Sequence, residues 1–565
     1  MKIEEHLEDL RARQVRVRPH GTPSEVVYPL GEISLPEHVA HWAVRCPDRP
    51  AIVFEERTVT YRELDDLIRR VAGWLDSVGV TAGDRVAVHL SNSPQFIVVM
   101  LAILRLGAVH VPVNPMFRST ELAYELDDSG AEVVVTFDTL LPLLESVRRQ
   151  TAVREVLVTS PTEMSGAPGQ SRPAVPEGAS VHRWAQAVAH DPVDGPPTDL
   201  DALAALNYTG GTTGLPKGCM HTQRHMIYTA ASSAGATRRN ADSGYVGLCY
   251  IPVFWIAGEN LGILNPLVLG GTSVLMARWD PAKVLRAIHT HRVSTMVGTV
   301  ENYLELLDQP DLSSFDLSSL TDPMAMSFIR KLTPEIRHRW AQTVGADSLL
   351  REAAYGMTET HTFDATPYGM VEDDRDLKAE PVFCGVPVPG TDIAVVSFET
   401  GEPVEIGEAG EIVVRSPSVM TGYWNKPEAT AKQLRDGWLH TGDNGRIDED
   451  GCLHYLGRDK DMIKVKGMSV FPAEVEMLLG RHPDVHTAAV VPADDTARGQ
   501  VPVAFVRLRP GTATDASALR AWASENMAPY KVPLVEVVHE FPMTATGKIR
   551  KTELTDRAQQ LANPS

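Results

Sequence analysis

Two stretches of this chain alternate strand-like and helix-like patterns, and that alternation restricts the fold more than any other feature. From about Ser34 to Asp138, "AIVFEERTVT" has the pattern of a β-hairpin and "YRELDDLIRRVAGWLDSVG" that of a helix ending at glycine. "DRVAVHL" then has the pattern of a strand and "PQFIVVMLAILRLG" that of a second helix. A second series follows Asn207, with "SVLMA", "PAKVLRAIHTHR" and "STMVGTV" repeating the rhythm. Alternation of this kind predicts parallel, helix-covered sheets, here two α/β layers in one large domain.

Between the two series "SPTEMSGAPGQSRPAVPEGAS" lacks periodicity and is rich in Pro, Gly and Ser, which predicts an exposed loop. After Thr391 short strands joined by Gly and Asp turns ("IAVVS", "GEIVVRS", "GRIDEDGCLHYLG") predict a small β-barrel-like part. Past Arg458 a mixed region begins. It has a helix started by Pro472, strands at "TAAVVPA" and "VPVAFVRL", and a helix near "ASALRAWASEN". The expected fold class is α/β: a large N-terminal domain, 1–457, of two layered subdomains plus the barrel-like part, and a smaller α+β C-terminal domain, 458–565.

Length agrees with more than one domain, since 565 residues exceed what one core usually supports. The net charge of -20 is spread along the chain and no Lys/Arg block is long enough to follow a phosphate backbone, so nucleic acid is not an expected partner. Five cysteines lie far apart without Cys-x-x-Cys spacing and are expected to be reduced packing residues of a cytoplasmic protein. "MKIEEHLEDLRARQ" has no apolar core of a signal peptide, and "LANPS" is not a peroxisomal address. The longest apolar run, Phe96 to Leu104, is too short for a membrane span and is expected to form a buried helix.

The segment "NYTGGTTGLPKGCMH", Asn207 to His221, is the densest chemical signal. Glycines let backbone amides converge on an oxyanion, and a helix expected at "TQRHMIYTAASS" adds its positive end. Lys217 supplies a full charge, and Thr209, Thr212 and Thr213 supply hydroxyls, around Gly210, Gly211 and Gly214. A Walker loop requires Gly-Lys followed by Ser or Thr, whereas this lysine is flanked as Pro216-Lys217-Gly218.

Four further motifs follow in order: "YGMTETH" from Tyr355, "GWLHTGDNGRI" from Gly437, "GRDKDMIKVKGMSVFPAEVE" from Gly457 and "TATGKIRK" from Thr544. With the glycine-rich loop and "MLAILRLGAVHVPVNP", they resemble the adenylate-forming superfamily of acyl-CoA synthetases, peptide-synthetase adenylation domains and luciferases, from about Leu35 to Leu554. The resemblance implies that ATP, Mg²⁺ and coenzyme A are used. It implies an ATP site made of the loop from Thr209 to Gly214, Lys217, Tyr355, Gly356, Met357, Asp443 on the ribose hydroxyls and Arg458. Glu359 matches the magnesium ligand, with Thr212 as a second metal contact, and Thr358 matches a phosphate contact. Lys548 matches the lysine that bridges carboxylate and α-phosphate, and Lys460 the hinge of a mobile C-terminal domain. Lys464 and Gly467 match the face presented for thioester formation, the glycine beside the pantetheine path.

Two departures from the family's pattern stand out. "PVFWIAG" places Trp255 where histidine is expected, so the acyl pocket is altered, and Gly258, Glu259, Asn260, Thr299 and His361 are its other expected neighbours. "SSLTDPMAMSFIRKL" lacks the Ser-Gly-Gly-Ala-like turn expected beside adenine, and Ala353 and Ala354 offer no polar side chain to the base, which leaves backbone groups and Tyr355 as a stacking face.

The chemistry is consistent with these residue types. A carboxylate attacking the α-phosphate of ATP must approach a negative triphosphate, so fixed cations and a metal ion carry much of the catalysis. The resemblance implies an acyl-CoA synthetase acting on a small-molecule carboxylic acid, as a monomer or homodimer. Transfer of the acyl adenylate to a carrier protein or a separate enzyme is an alternative, and nucleotide binding without turnover is another.

Overall fold

The computed structural model describes the chain except residues 1–2, 167–179, 210–214, 328–329, 380–381, 459–460, 466–467, 496–497, 544–547 and 563–565. Two seven-stranded sheets form the body of the large domain. In the first, the order is Val181–Arg183, Glu155–Thr159, Val133–Phe137, Arg85–His89, Val109–Pro112, Leu203–Tyr208 and Gly218–Thr222, parallel except for the last, antiparallel strand. The second runs Arg351–Glu352, Asp322–Met326, Thr295–Thr299, Val246–Cys249, Thr272–Leu275, Pro50–Phe54 and Arg57–Thr60, and it too is parallel but for its last strand. The expected hairpin at "AIVFEERTVT" is present, but it closes the edge of the second sheet rather than the first.

The apolar run forms the helix Pro94–Arg105, started by Ser93, whose side chain accepts from the Phe96 amide, and buried from Pro94 through Leu104. It packs with the helix Tyr61–Ser77, capped by Thr60, in a core that also takes residues of the second sheet such as Val297 and Met324. The two subdomains therefore share one interior. Among the described residues no helix is long and apolar enough to cross a membrane.

The loop expected between the two series is only partly loop. Pro161–Met164 forms a 3₁₀ turn begun by Ser160, whose carbonyl accepts from the buried Gln95 side chain at 2.8 Å. Met164 is buried, and the Pro/Gly/Ser-rich remainder falls largely in residues 167–179, outside the described residues.

The barrel-like part is an antiparallel sheet in the order Ala365–Thr366, Val382–Pro387, Leu453–Arg458, Trp438–Ile447, Gly410–Arg415 and Asp392–Val396. The N-terminal helix Ile3–Gln14 lies on it, burying Leu7 against Ala394, Val413 and Trp438, and Leu10 against Ile393 and Ile412. In the C-terminal region Ile463–Val465 and Met468–Val470 form a hairpin beside the long pair Val485–Asp495 and Gly499–Leu508, and Leu534–Val537 joins in parallel. The helices Pro472–Gly480 and Ala516–Asn526 share one buried core with these strands, and Thr555–Ala562 contributes to a second.

Candidate active site

The glycine-rich loop leaves the first sheet at its antiparallel edge. Beyond the last strand pair, Tyr208 and Gly218, the Thr209 amide donates to the Lys217 carbonyl at 3.0 Å and the Lys217 amide donates to Thr209 Oγ1 at 3.3 Å. Thr209 and Lys217 thus form the neck of the loop, whose Gly210, Gly211, Thr212, Thr213 and Gly214 lie outside the described residues. The expected helix is present as Gln223–Ala236 behind its Thr222 cap, but an unanticipated strand, Gly218–Thr222, pairs with Leu203–Tyr208 between the loop and the helix. The helix start is displaced from Lys217 by that strand, so the positive groups available at the loop are its own amides and the lysine.

The Lys217 ammonium lies 4.1 Å from the ring centroid of Tyr423. The Tyr423 hydroxyl donates to Glu359 Oε1 at 2.7 Å, and the Met420 amide donates to the Glu359 carbonyl at 2.8 Å. Tyr423 thereby joins the cation of the phosphate loop to the candidate metal ligand. Sequence reasoning missed it, since 64 residues separate it from Glu359.

The turn carrying Glu359 folds back on itself. Gly356 is required there, because a Cβ would come within 2.2 Å of the Phe363 amide nitrogen. Thr358–Thr360 makes a 3₁₀ turn, followed by three successive residues with left-handed backbone, His361, Thr362 and Phe363, at φ 56°, 60° and 72°. The Thr358 carbonyl accepts from His221 Nε2 at 2.8 Å, and Met357 packs beside Tyr423 and Cys219. Asp364 closes the turn by accepting from Thr360 Oγ1 at 2.6 Å. Burial, opposed by that hydrogen bond and reinforced by Glu359, pushes the Asp364 pKa up to about 8.

Asp443 and Arg458 are register partners on neighbouring antiparallel strands, and their side chains pair at 2.8 Å, Oδ1 to Nε. Tyr355 donates its hydroxyl to Asp443 Oδ2, also at 2.8 Å, and its ring lies 6.1 Å from that of Tyr455. Burial raises the Asp443 pKa, against the opposing pull of Arg458 and Tyr355. Lys548, from the other end of the chain, belongs to the same electrostatic group. Although its surface is exposed, desolvation by nearby protein and then repulsion from Arg458 depress its pKa, with Asp443 acting in the opposite sense.

Lys464 stands exposed on the hairpin strand Ile463–Val465, its amide donating to Gln500 Oε1 at 2.9 Å. Gly467 and the expected hinge Lys460 lie outside the described residues.

The expected acyl residues divide into two groups. Trp255 is half-buried at the start of the short helix Ile256–Glu259, edge-on to Phe254, and Gly258 is fixed by contact, since a Cβ there would lie 2.0 Å from the Pro252 carbonyl oxygen. Thr299 caps the helix Val300–Leu307 and donates its hydroxyl to Asn302 Oδ1 at 3.0 Å, so that side chain is committed to the cap. Glu259, Asn260 and His361 are buried, with Glu259 Oε2 accepting from Asn207 Nδ2 at 3.1 Å and Oε1 lying 3.5 Å from His361 Nε2. Burial alone would raise the Glu259 pKa, but His361, then His110 and Asn207, outweigh it and hold the carboxyl below its ordinary range. Where the Gly-Gly-Ala-like turn is missing, Ser327 donates its hydroxyl to Glu352.

Among the described residues no group of three His, Cys, Asp or Glu side chains is arranged to hold a metal ion. A single carboxylate, Glu359, linked through Tyr423 to Lys217 at the neck of the glycine-rich loop, would suit Mg²⁺, which retains waters and commonly takes one or two carboxylates together with substrate phosphates.

The family model described as AMP-binding enzyme matches residues 39–424, and that described as AMP-binding enzyme C-terminal domain matches 474–548. The chain belongs to the family of AMP-binding enzymes. It is 32% identical over 553 residues to a long-chain-fatty-acid–CoA ligase of Bacillus subtilis, covering 95% of this chain and 96% of that one. It is 35% identical to a feruloyl-CoA synthase of an Amycolatopsis species, over 91% and 98% of the two chains. Its structure resembles that of the anthranilate CoA ligase AuaEII in complex with anthranoyl-AMP, with a TM-score of 0.79, 26% identity and coverage of 94% and 98%. The expected α/β class and the resemblance to adenylate-forming enzymes are both borne out.

Proposed function

We propose that the protein is an ATP-dependent acid–thiol ligase: a carboxylic acid and MgATP give an acyl adenylate and pyrophosphate, and the thiol of coenzyme A then displaces AMP to give the thioester. The observation that carries this reading is the joining of Asp443 to Arg458 and Tyr355 while Glu359, Tyr423 and Lys217 form a contiguous group. The CoA ligase names of the relatives agree with it.

Asp443 offers two oxygens to the ribose hydroxyls and is held by Tyr355 and Arg458. Tyr355 presents its ring to the base. The amides of the loop from Gly210 to Gly214, with Thr209, Thr212, Thr213 and Lys217, cradle the leaving phosphates, and Thr358 adds a contact. Glu359, assisted by Thr212, holds Mg²⁺, which when bound supplies positive charge to the triphosphate. Lys548 meets the carboxylate and α-phosphate, where a fixed charge acts strongly once bound substrate excludes water. The acid lies against Trp255 and Gly258. We assign fatty or aromatic acids as its class, on the fatty acid and ferulate named for the relatives.

We place the domain division at 457/458 and the hinge at Lys460, so that the small domain presents either Lys548 or the Lys464 and Gly467 face. The five cysteines, all free thiols, favour the cytoplasm. We assign free coenzyme A rather than a carrier protein as acceptor, and a monomer or homodimer as the assembly. A pyrophosphate-release screen of fatty, aromatic and substituted acids, with and without coenzyme A, tests the reading. Adenylate that never yields a thioester would favour the carrier or separate-enzyme alternative, and failure with every acid would leave a nucleotide-binding protein without turnover.

A further inference from the structure

Asn207, Glu259 and His361 stand on three elements with different tasks and meet in the interior. Asn207 is the second-last residue of the strand entering the glycine-rich loop, Glu259 ends the helix begun by Trp255, and His361 lies two residues past Glu359. One carboxylate reaches both of the others, with Asn207 Nδ2 at 3.1 Å from one oxygen and His361 Nε2 at 3.5 Å from the second. The link continues past His361, whose ring meets His221 edge-on at 4.8 Å, and His221 donates to the carbonyl of Thr358, the residue before Glu359.

A carboxylate without solvent exposure is costly to bury, and an aliphatic side chain would fill such a helix position without that cost. What the carboxylate provides instead is a hydrogen bond accepted from Asn207 on one oxygen and a close approach to His361, at 3.5 Å, on the other. His361 begins the run of three left-handed residues, a conformation that persists only where surrounding contacts hold it. With no exposed surface, Glu259 is shielded from any substrate. We propose that Glu259 is a positioning residue that locks the entry of the phosphate loop and the magnesium-ligand turn to the helix walling the acid pocket, so that MgATP and acid are held in one register. This rests on the ligase reading above.

The test uses the full-length protein with Glu259→Leu, which removes both contacts, and Glu259→Gln, whose amide still faces Asn207 and His361. Adenylation by the Leu variant is expected to fall about a hundredfold, the scale of a misplacement of ~1 Å, while Gln restores much of the rate. The magnesium concentration for half-maximal pyrophosphate release is expected to rise severalfold, and thioester formation from supplied acyl-AMP and coenzyme A to stay unchanged. A folded Leu variant with unaltered magnesium response, or one changed only in KM for the acid, would overturn the proposal; should Leu fail to fold, the same readings on His361→Asn decide it. MgATP affinity, measured calorimetrically without acid, separates the two claims. A protein that makes no adenylate defeats the ligase reading, yet an equal MgATP affinity in wild type and variants would still defeat the role of Glu259.

Discussion

Tyr423 serves two neighbours, its hydroxyl donating to Glu359 and its ring facing the Lys217 ammonium. Phenylalanine would keep the ring and remove the donor. Tyr423→Phe is therefore expected to lower adenylation about tenfold and raise the magnesium requirement, as loss of a ligand's outer partner commonly does. Magnesium titration of pyrophosphate release checks this, and an unchanged half-saturation point would detach Tyr423 from the metal site. Asp364 gives a pH-dependent case. Its pKa is raised from 3.8 to about 8 in the folded protein, so its contribution to stability is complete below pH 4 and is lost as the pH rises through 8. Asp364→Asn lacks that loss, and its Tm should exceed that of the wild type by several degrees at pH 8.5, with the gap closing toward pH 4. Equal Tm values across that range would mean that Asp364 ionises freely. Asp443 and Arg458 were legible in the sequence as site candidates because each lies in a recognisable motif, while their pairing emerged only with the strand register. Tyr423 and Asn207 were not, since their partners are brought to them only by tertiary folding.

At the scale of elements, alternation revealed the buried helix Pro94–Arg105 and the parallel sheets, because an apolar period survives in any register. It did not reveal which sheet takes the hairpin at Pro50–Phe54, since pairing across a shared core depends on residues more than two hundred positions away. The N-terminal helix Ile3–Gln14 was also hidden. Its segment is dominated by charge and its inward contacts rest chiefly on Leu7 and Leu10, too few for a clear period. The helix at Gln223–Ala236 stands where "TQRHMIYTAASS" placed it, but strand Gly218–Thr222 before it was not legible, since it forms by pairing with Leu203–Tyr208. The short helix after Trp255 carries the element-scale prediction. Trp255 is half-buried, so Trp255→Gly is expected to extend the usable acids toward bulkier ones with little change in KM for ATP. A panel of acids of graded length reads this directly, and an unaltered preference would mean that Trp255 packs away from the acid.

At the scale of the molecule, Lys548 comes from the last part of the chain and shares electrostatic influence with Arg458 and Asp443, which fits the adenylation role proposed for it. Lys464 is exposed on a separate hairpin, so presenting its face to the same substrates requires the small domain to turn. Loss of one preorganised cation typically costs about 10²–10³ in rate, and Lys548→Ala should lose that much adenylation while still converting supplied acyl-AMP and coenzyme A. Gly467→Leu should show the reverse, and assays of the separate half-reactions distinguish them; loss of the same half-reaction in both would refute the turning domain.

The central claim is the two-step ligase reaction. Its most direct measurement is to incubate enzyme, MgATP and an accepted acid without coenzyme A, quench, and identify the nucleotide products by mass spectrometry before and after coenzyme A is added. Enzyme-bound acyl-AMP with an equal amount of pyrophosphate, followed on addition by AMP and the acyl thioester, is the predicted result; formation of ADP and phosphate, or an acyl-AMP that coenzyme A leaves intact, would contradict it.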